Sequence, residues 1–178
     1  MPFFVDIETI PGEVKPTLDD VKAPANYKDP EKIQAYKEAH QLEAWKKQSL
    51  DPLKGRIICI GYAFDAQSEA QCISGDEEEV MVELDKVVAD YRKANTGFQW
   101  CGHNVVSFDL CWIKLRAIKY GLGNLDAVLN FAEKYSIRAH DTMEFDMPWG
   151  FRPSLKNLAQ FYGVGQCKSG DGSQVFDL

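Results

Sequence analysis

The sequence predicts an α/β fold: a mixed five-stranded sheet flanked by helices, with a loop-plus-helix excursion between the first two strands. Three observations lead there. The chain opens on Phe3-Phe4-Val5-Asp6-Ile7-Glu8-Thr9-Ile10, a run of β-branched and aromatic residues that reads as a strand. Further short apolar runs, bounded by Gly, Pro and polar turns, read the same way. Between them lie segments whose apolar residues recur at helical spacing. The resulting order is β, excursion, β, β, α, β, α, α, β, α, with the first strand central.

The first strand carries the first chemical signal. Side chains alternate across a strand, so Asp6 and Glu8 share one face while Val5 and Ile7 share the other. A run this apolar reads as a central strand buried on both faces. Two carboxylates side by side there repel each other and lose hydration. A divalent cation with a preference for oxygen ligands, Mg²⁺ or Mn²⁺, resolves both problems. The bland alternative is an edge strand whose polar face meets water.

Pro11 to Lys54 forms the excursion. Its first half is polar and holds Pro11, Pro16 and Pro24. Asp29-Pro30-Glu31 then supplies an N-cap, a first-position proline and an acid in the first turn. Ile33, Tyr36, His40 and Ala44 share a face of the helix that follows, which runs to about Gln48 and closes at Pro52. His40 reads as part of that face rather than as a ligand.

Ile57 to Phe64 is the second strand, Asp65-Ala66-Gln67-Ser68 a turn, and Glu69 to Ser74 a third strand antiparallel to the second. Gly75-Asp76-Glu77-Glu78-Glu79 starts a helix whose apolar face is Val80, Leu84, Val87, Val88 and Tyr91. Its acids read as a cap and a solvated face rather than as a second metal site. Thr96-Gly97 ends it. Phe98 to Gly102 is a short buried strand that delivers His103 and Asn104, and a helix continues through Leu110, Ile113, Leu115 and Ile118 to Gly121. Open α/β sheets place their sites at such strand ends. Leu125 to Lys134 is expected to be helical, Tyr135 to His140 to be a strand ending at Asp141-Thr142-Met143, and Asp141 to cap that strand's end. Ser154 starts a last helix with Leu155, Leu158, Ala159 and Tyr162 inward and Gly163 as its stop. Gly165 to Leu178 reads as a loop. Asp6, Glu8 and Asp109 are expected to converge.

The 178 residues fit one domain. A net charge of -7 argues against a broad basic surface for non-specific nucleic-acid binding, although a narrow basic groove on an acidic protein would escape that argument. The five cysteines are odd in number and none has C-x-x-C spacing, so buried free thiols in a reducing cytosol are expected rather than disulfides or zinc. Without a signal peptide or a run long enough to span a bilayer, a cytoplasmic location is expected, with no membrane partner.

Asp6-Ile7-Glu8-Thr9 resembles the first motif, D-x-E-T, of the DEDD 3′–5′ exonucleases, and Asn104-x-x-x-Phe108-Asp109 resembles their second, N-x-x-x-F-D. Gly55-Arg56-Ile57, His140-Asp141-Thr142-Met143, Ser154 to Ala159 and Asp171 to Val175 resemble the subgroup related to the proofreading exonuclease of family B DNA polymerases. The resemblance covers nearly the whole chain. It implies an RNase H-like fold and a two-metal mechanism in which two Mg²⁺ or Mn²⁺ ions, about 4 Å apart, activate water and stabilise the leaving 3′ oxygen. By that resemblance Asp6 bridges both metals, Glu8 binds the metal carrying the attacking water, and Asp109 binds the second. Thr9 and Ile10 contact the 3′-terminal nucleotide. Asn104 and Phe108 line the strand's path, Phe108 by packing or stacking. His103 reaches a phosphate, or else fills the strand end. The implied substrate is single-stranded nucleic acid, DNA in preference to RNA.

The family's third motif, with its fourth Asp, is not found before Leu178, and a C-terminally truncated domain is the expectation. His140 with Asp146 is spaced one residue too long for it, and Asp171 and Asp177 are the other stand-ins. The alternative reading is a catalytically impaired domain that binds nucleic acid or protein.

Overall fold

A computed structural model describes residues 1–95, 97–129, 139–144 and 150–165. The chain divides into two compact units, Met1–Glu8 with Ile57–Leu178, and Thr9–Arg56.

The first unit is α/β. Its strands are β1 (Pro2–Ile10), β2 (Arg56–Ala63), β3 (Gln71–Ser74), β4 (Gln99–Gly102) and β5 (Ala139–Asp141). They form one mixed sheet in the order β3-β2-β1-β4-β5, so β1 lies at the centre. β4 runs parallel to β1, β5 runs parallel to β4, and β3 is antiparallel to β2. The helices are α2 (Glu77–Ala94), α3 (Asp109–Tyr120), α4 (Gly123–Val128) and α5 (Leu155–Phe161), with α1 (Pro30–Lys46) in the second unit.

One face of β1 anchors the core. Phe3, Val5 and Ile7 are buried with Ile60 and Tyr62 of β2, Val80, Met81, Leu84 and Val88 of α2, and Leu110, Ile113 and Ala117 of α3. The Phe3 ring meets Tyr62, Phe64, Tyr91, Phe98 and Trp100 at centroid distances of 5.3 to 5.9 Å. Burying a phenylalanine this fully stabilises the fold by on the order of 2–3 kcal/mol. The expectation that β1 is buried on both faces fails. Asp6 is exposed and Phe4 and Glu8 are half-buried, because the core takes only the alternate residues Phe3, Val5 and Ile7.

Local chemistry explains the element ends. Asp76 caps α2 by accepting from the Glu78 N–H at 2.9 Å, and Ser154 caps α5 by accepting from Asn157 N–H at 3.3 Å. Gly121 and Gly163 end α3 and the α5 turn with φ of 68° and 66°. Leu115 and Ile118 of α3 point to solvent, because the inward stripe is Leu110, Ile113 and Ala117. One expectation is corrected here. Tyr162 is exposed rather than inward, since it follows the last residue of α5 and no longer keeps the helical period. Leu158 and Ala159 are buried as expected. The parts of the expected helix and strand over 130–138, the Asp171 to Val175 segment, and Asp146, Cys167, Asp171 and Asp177 lie outside the described residues.

In the second unit Asp29 caps α1 by accepting from Glu31 N–H at 3.0 Å, with Pro30 at the first helical position. A 3₁₀ turn over Lys47–Leu50 follows. His40 stacks on Tyr36 at 3.8 Å, and its Nδ1 lies 2.8 Å from the Tyr36 carbonyl, so it does pack on that face. The Trp45 indole N–H donates to the Gly12 carbonyl at 2.9 Å, tying the loop half of the excursion to its helix. Among the described residues, no helix is long and apolar enough to cross a membrane.

Candidate active site

The candidate site begins where β4 stops. β1 and β4 pair only from Pro2 with Gln99 to Phe4 with Cys101. Beyond that register the β1 backbone needs another hydrogen-bond partner. Asp109 provides it: its Oδ1 accepts from the Ile7 N–H at 2.9 Å. Ile7 is the residue between Asp6 and Glu8, so the first residue of α3 is fixed against the middle of the acidic segment of β1.

The connection from β4 to α3 is shaped to make this possible. A Cβ on Gly102 would lie 2.9 Å from the Val5 carbonyl oxygen and 2.8 Å from the Val105 Cβ, so only glycine lets the chain turn so close to β1. Asn104 adopts φ 61°, a left-handed conformation that Asn tolerates better than most residues. Its carbonyl accepts from the Phe108 N–H at 3.0 Å, and the Val105 carbonyl accepts from Leu110 N–H at 2.9 Å. The turn thereby runs straight into α3.

Asp141 at the end of β5 holds this turn. It is fully buried, and its carboxylate accepts from the backbone N–H groups of Asn104 at 2.8 Å, Val106 at 3.0 Å and Met143 at 2.9 Å. The expected capping role for Asp141 is therefore present, and it extends across to the neighbouring strand's exit. His103 Nδ1 lies 2.9 Å from the Thr142 hydroxyl, and its Nε2 is buried without a hydrogen-bond partner among the described residues. His103 thus fills the strand end. Phe108 is half-buried, its ring 5.9 Å from that of Trp112.

The electrostatics are unbalanced at Asp109. Burial raises its pKa first, and the negative charge of Asp6 adds to that; together with a smaller push from Asp141 they outweigh the Ile7 N–H and lift it to about 8. The two charged neighbours that lead in acting on this buried carboxylate, Asp6 and Asp141, are negative. On the β2 side, Cys59 is pushed up to about 12 by burial, by a hydrogen bond with Cys72, and by the charges of Cys72, Glu8 and Asp6. Asp6 therefore acts on both flanks of β1, on Asp109 and on Cys59, and Glu8 acts on Cys59.

The structure brings Asp6 and Asp109 into electrostatic contact and sets Asp109 on the residue between Asp6 and Glu8. Among the described residues, no group of three or more His, Cys, Asp and Glu side chains stands ready to hold a metal ion. The donor set still fits a hard divalent cation in kind: carboxylate oxygens, one buried and opposed by the like charge of Asp6, which a cation would neutralise. Thr9 and Ile10 belong to the second unit, where the Thr9 hydroxyl donates to the Ser49 carbonyl at 2.6 Å. Comparison with family models, curated proteins and solved structures returned no match.

One buried acid escapes a reading of the sequence. Glu77 is not part of a solvated face. Its carboxylate accepts from the Ile57 N–H at 2.8 Å, Arg116 Nε at 2.7 Å, the Tyr120 hydroxyl at 2.8 Å and Lys119 Nζ at 3.2 Å. Burial alone would raise its pKa, but these donors outweigh it and hold the carboxyl below its ordinary range. Its role is to join β2, α2 and α3. No signal in the sequence separates it from Glu78 and Glu79.

Proposed function

We propose that this chain is an RNase H-like, metal-dependent 3′–5′ exonuclease domain that releases nucleotides from the 3′ end of single-stranded DNA. The observation that carries the reading is the Asp109 carboxylate, buried on the Ile7 N–H and opposed by Asp6. The mixed five-stranded sheet with β1 at its centre supports the fold.

In this reading Asp6, Glu8 and Asp109 hold two divalent ions, Mg²⁺ or Mn²⁺. When bound, such ions lower the pKa of water and stabilise charge on the scissile phosphate. The Ile7 N–H fixes Asp109, so the second carboxylate-bearing element is aligned before substrate arrives. Asp141 keeps the Asn104 to Asp109 turn rigid through its two bonds to the Asn104 and Val106 N–H groups. Phe108, on that turn, is the side chain for the strand's bases, while His103 supports the strand end through Thr142.

The test is a 5′-labelled single strand incubated with the protein in Mg²⁺ and in Mn²⁺, beside Asp6→Ala, with an RNA strand of the same sequence as the second substrate. A ladder shortening from the 3′ end of DNA, absent in the variant, is expected. Nucleotide release unchanged by Asp6→Ala overturns the proposal. Binding of the strand without cleavage in either metal would support the alternative, a nucleic-acid-binding domain with an impaired site.

A further inference from the structure

The sheet places two thiols together on its β2–β3 margin. In the antiparallel pairing Cys59 lies opposite Ser74, and Cys72 lies opposite Gly61. Cross-strand partners share a face, and positions two apart on one strand do as well. Cys59 and Cys72 are therefore diagonal neighbours on one face. The two residues that complete this square are small. Gly61 has no side chain, and the nearest atom to a Cβ built there is the Asp6 carbonyl oxygen at 3.8 Å, so nothing stands between the thiols. The neighbouring Cys72 thiol is close enough to add to the upward push that burial gives the Cys59 thiol. Cys72 is exposed and Cys59 half-buried, while Cys101 is buried and Cys111 is half-buried on α3.

We infer that Cys59 and Cys72 form a reversible dithiol–disulfide pair, oxidised by low-molecular-weight disulfides such as glutathione disulfide. This inference does not rest on the nuclease reading. The exposed Cys72 thiolate attacks one sulfur of glutathione disulfide, forming a Cys72–glutathione mixed disulfide and expelling one glutathione thiolate. Cys59 then attacks the Cys72 sulfur, its proton passing to the departing sulfur, and the second glutathione leaves as a thiol. Two protein thiols are oxidised by two electrons, and one disulfide is reduced to two thiols.

Diagonal neighbours in a sheet have Cα atoms about 7–8 Å apart, and a disulfide needs less than about 7 Å. Closing the bond thus requires the Cys72 end of β3 to slide along β2 toward Cys59 by roughly 1 Å. β3 is four residues long and ends the strand order, so it moves without breaking a second ladder. A bond strained in this way is the more easily reduced kind, which makes the pair a switch rather than a permanent staple.

The experiment uses the full chain in its native fold, treated with glutathione disulfide, quenched in acid, alkylated and mapped by peptide mass spectrometry. The expected product is a Cys59–Cys72 linked peptide, with Cys101 and Cys111 still alkylated. Mild dithiothreitol returns both thiols. Cys59→Ser should stop at a stable glutathione adduct on Cys72, and Cys72→Ser should yield no bridge at Cys59. Three results overturn the inference: a wild-type chain that stops at the Cys72 adduct, a bridge from either cysteine to Cys101, Cys111 or Cys167 instead, or two thiols that remain free. The wild-type map decides the matter even if a variant fails to fold.

Discussion

Replacing Asp109 with asparagine should stabilise the metal-free protein at alkaline pH, although it removes a residue the site depends on. Asp109 is 3% exposed, and its pKa in the fold is about 8 against about 3.8 for an ordinary aspartate. The folded state therefore keeps a proton that the unfolded chain gives up between pH 4 and pH 8. With more protons bound in the folded state, stability falls as pH rises through that window and levels off above it. At about 1.4 kcal/mol per pH unit, the full loss is on the order of 6 kcal/mol. Relaxation and water entry reduce this, so a difference of at least ~2 kcal/mol is the expectation. The asparagine side chain keeps an oxygen for the Ile7 N–H and puts an amide N–H₂ in place of the second carboxyl oxygen, which costs about 1 kcal/mol at every pH. The assay is urea unfolding in a chelator from pH 4.5 to 9, read by the fluorescence of the buried Trp100 and Trp112. The variant should start slightly less stable than wild type and overtake it as pH rises. Two curves that run parallel, or a wild type whose relative stability grows with pH, would refute the reasoning.

Three further outcomes are expected. Glu77→Gln should cost about 3 kcal/mol at neutral pH, because a buried carboxylate with four donors loses its charge. Since its pKa is lowered in the fold, this contribution is present above about pH 4.5 and is lost as pH falls through the folded value, so wild type and variant should converge in acid unfolding. Gly102→Ala should destabilise by at least ~2 kcal/mol and shift the Asp109 end of α3 in amide NMR spectra, because the new methyl meets the Val5 carbonyl and Val105. Asp141→Asn should cost about 2 kcal/mol, as an amide N–H₂ is turned on a backbone N–H, and hydrogen exchange should then quicken at Asn104 and Val106.

What is legible in the sequence follows from where each signal resides. The α1 and α2 starts are written locally, in Asp29-Pro30 and Asp76, and the structure puts both caps there. The position of β1 at the centre follows from its apolar run. The exposure of its second face does not, since apolar content says how much a strand can bury and not how many layers cover it. Glu77 is hidden for a related reason. Three consecutive acids at a helix start look alike until Ile57 and Arg116 select one of them. The approach of Asp109 to Asp6 is legible in the element order, which brings the start of α3 to a central β1. The anchoring bond to the Ile7 N–H is not, because it depends on β4 ending before β1 does.

The most direct test of the central claim, that the carboxylates of β1 and α3 together hold a divalent cation, is calorimetric titration of metal-free protein with Mn²⁺ at pH 7. It should be run in two buffers of different ionisation heat. Asp109 is largely protonated at that pH in the metal-free fold, so binding should release about one proton. Asp109→Asn should weaken binding at least ~10-fold and abolish the proton release, and Asp6→Asn should weaken binding comparably. Equal affinity in wild type and both variants, or no binding to wild type, would contradict the account.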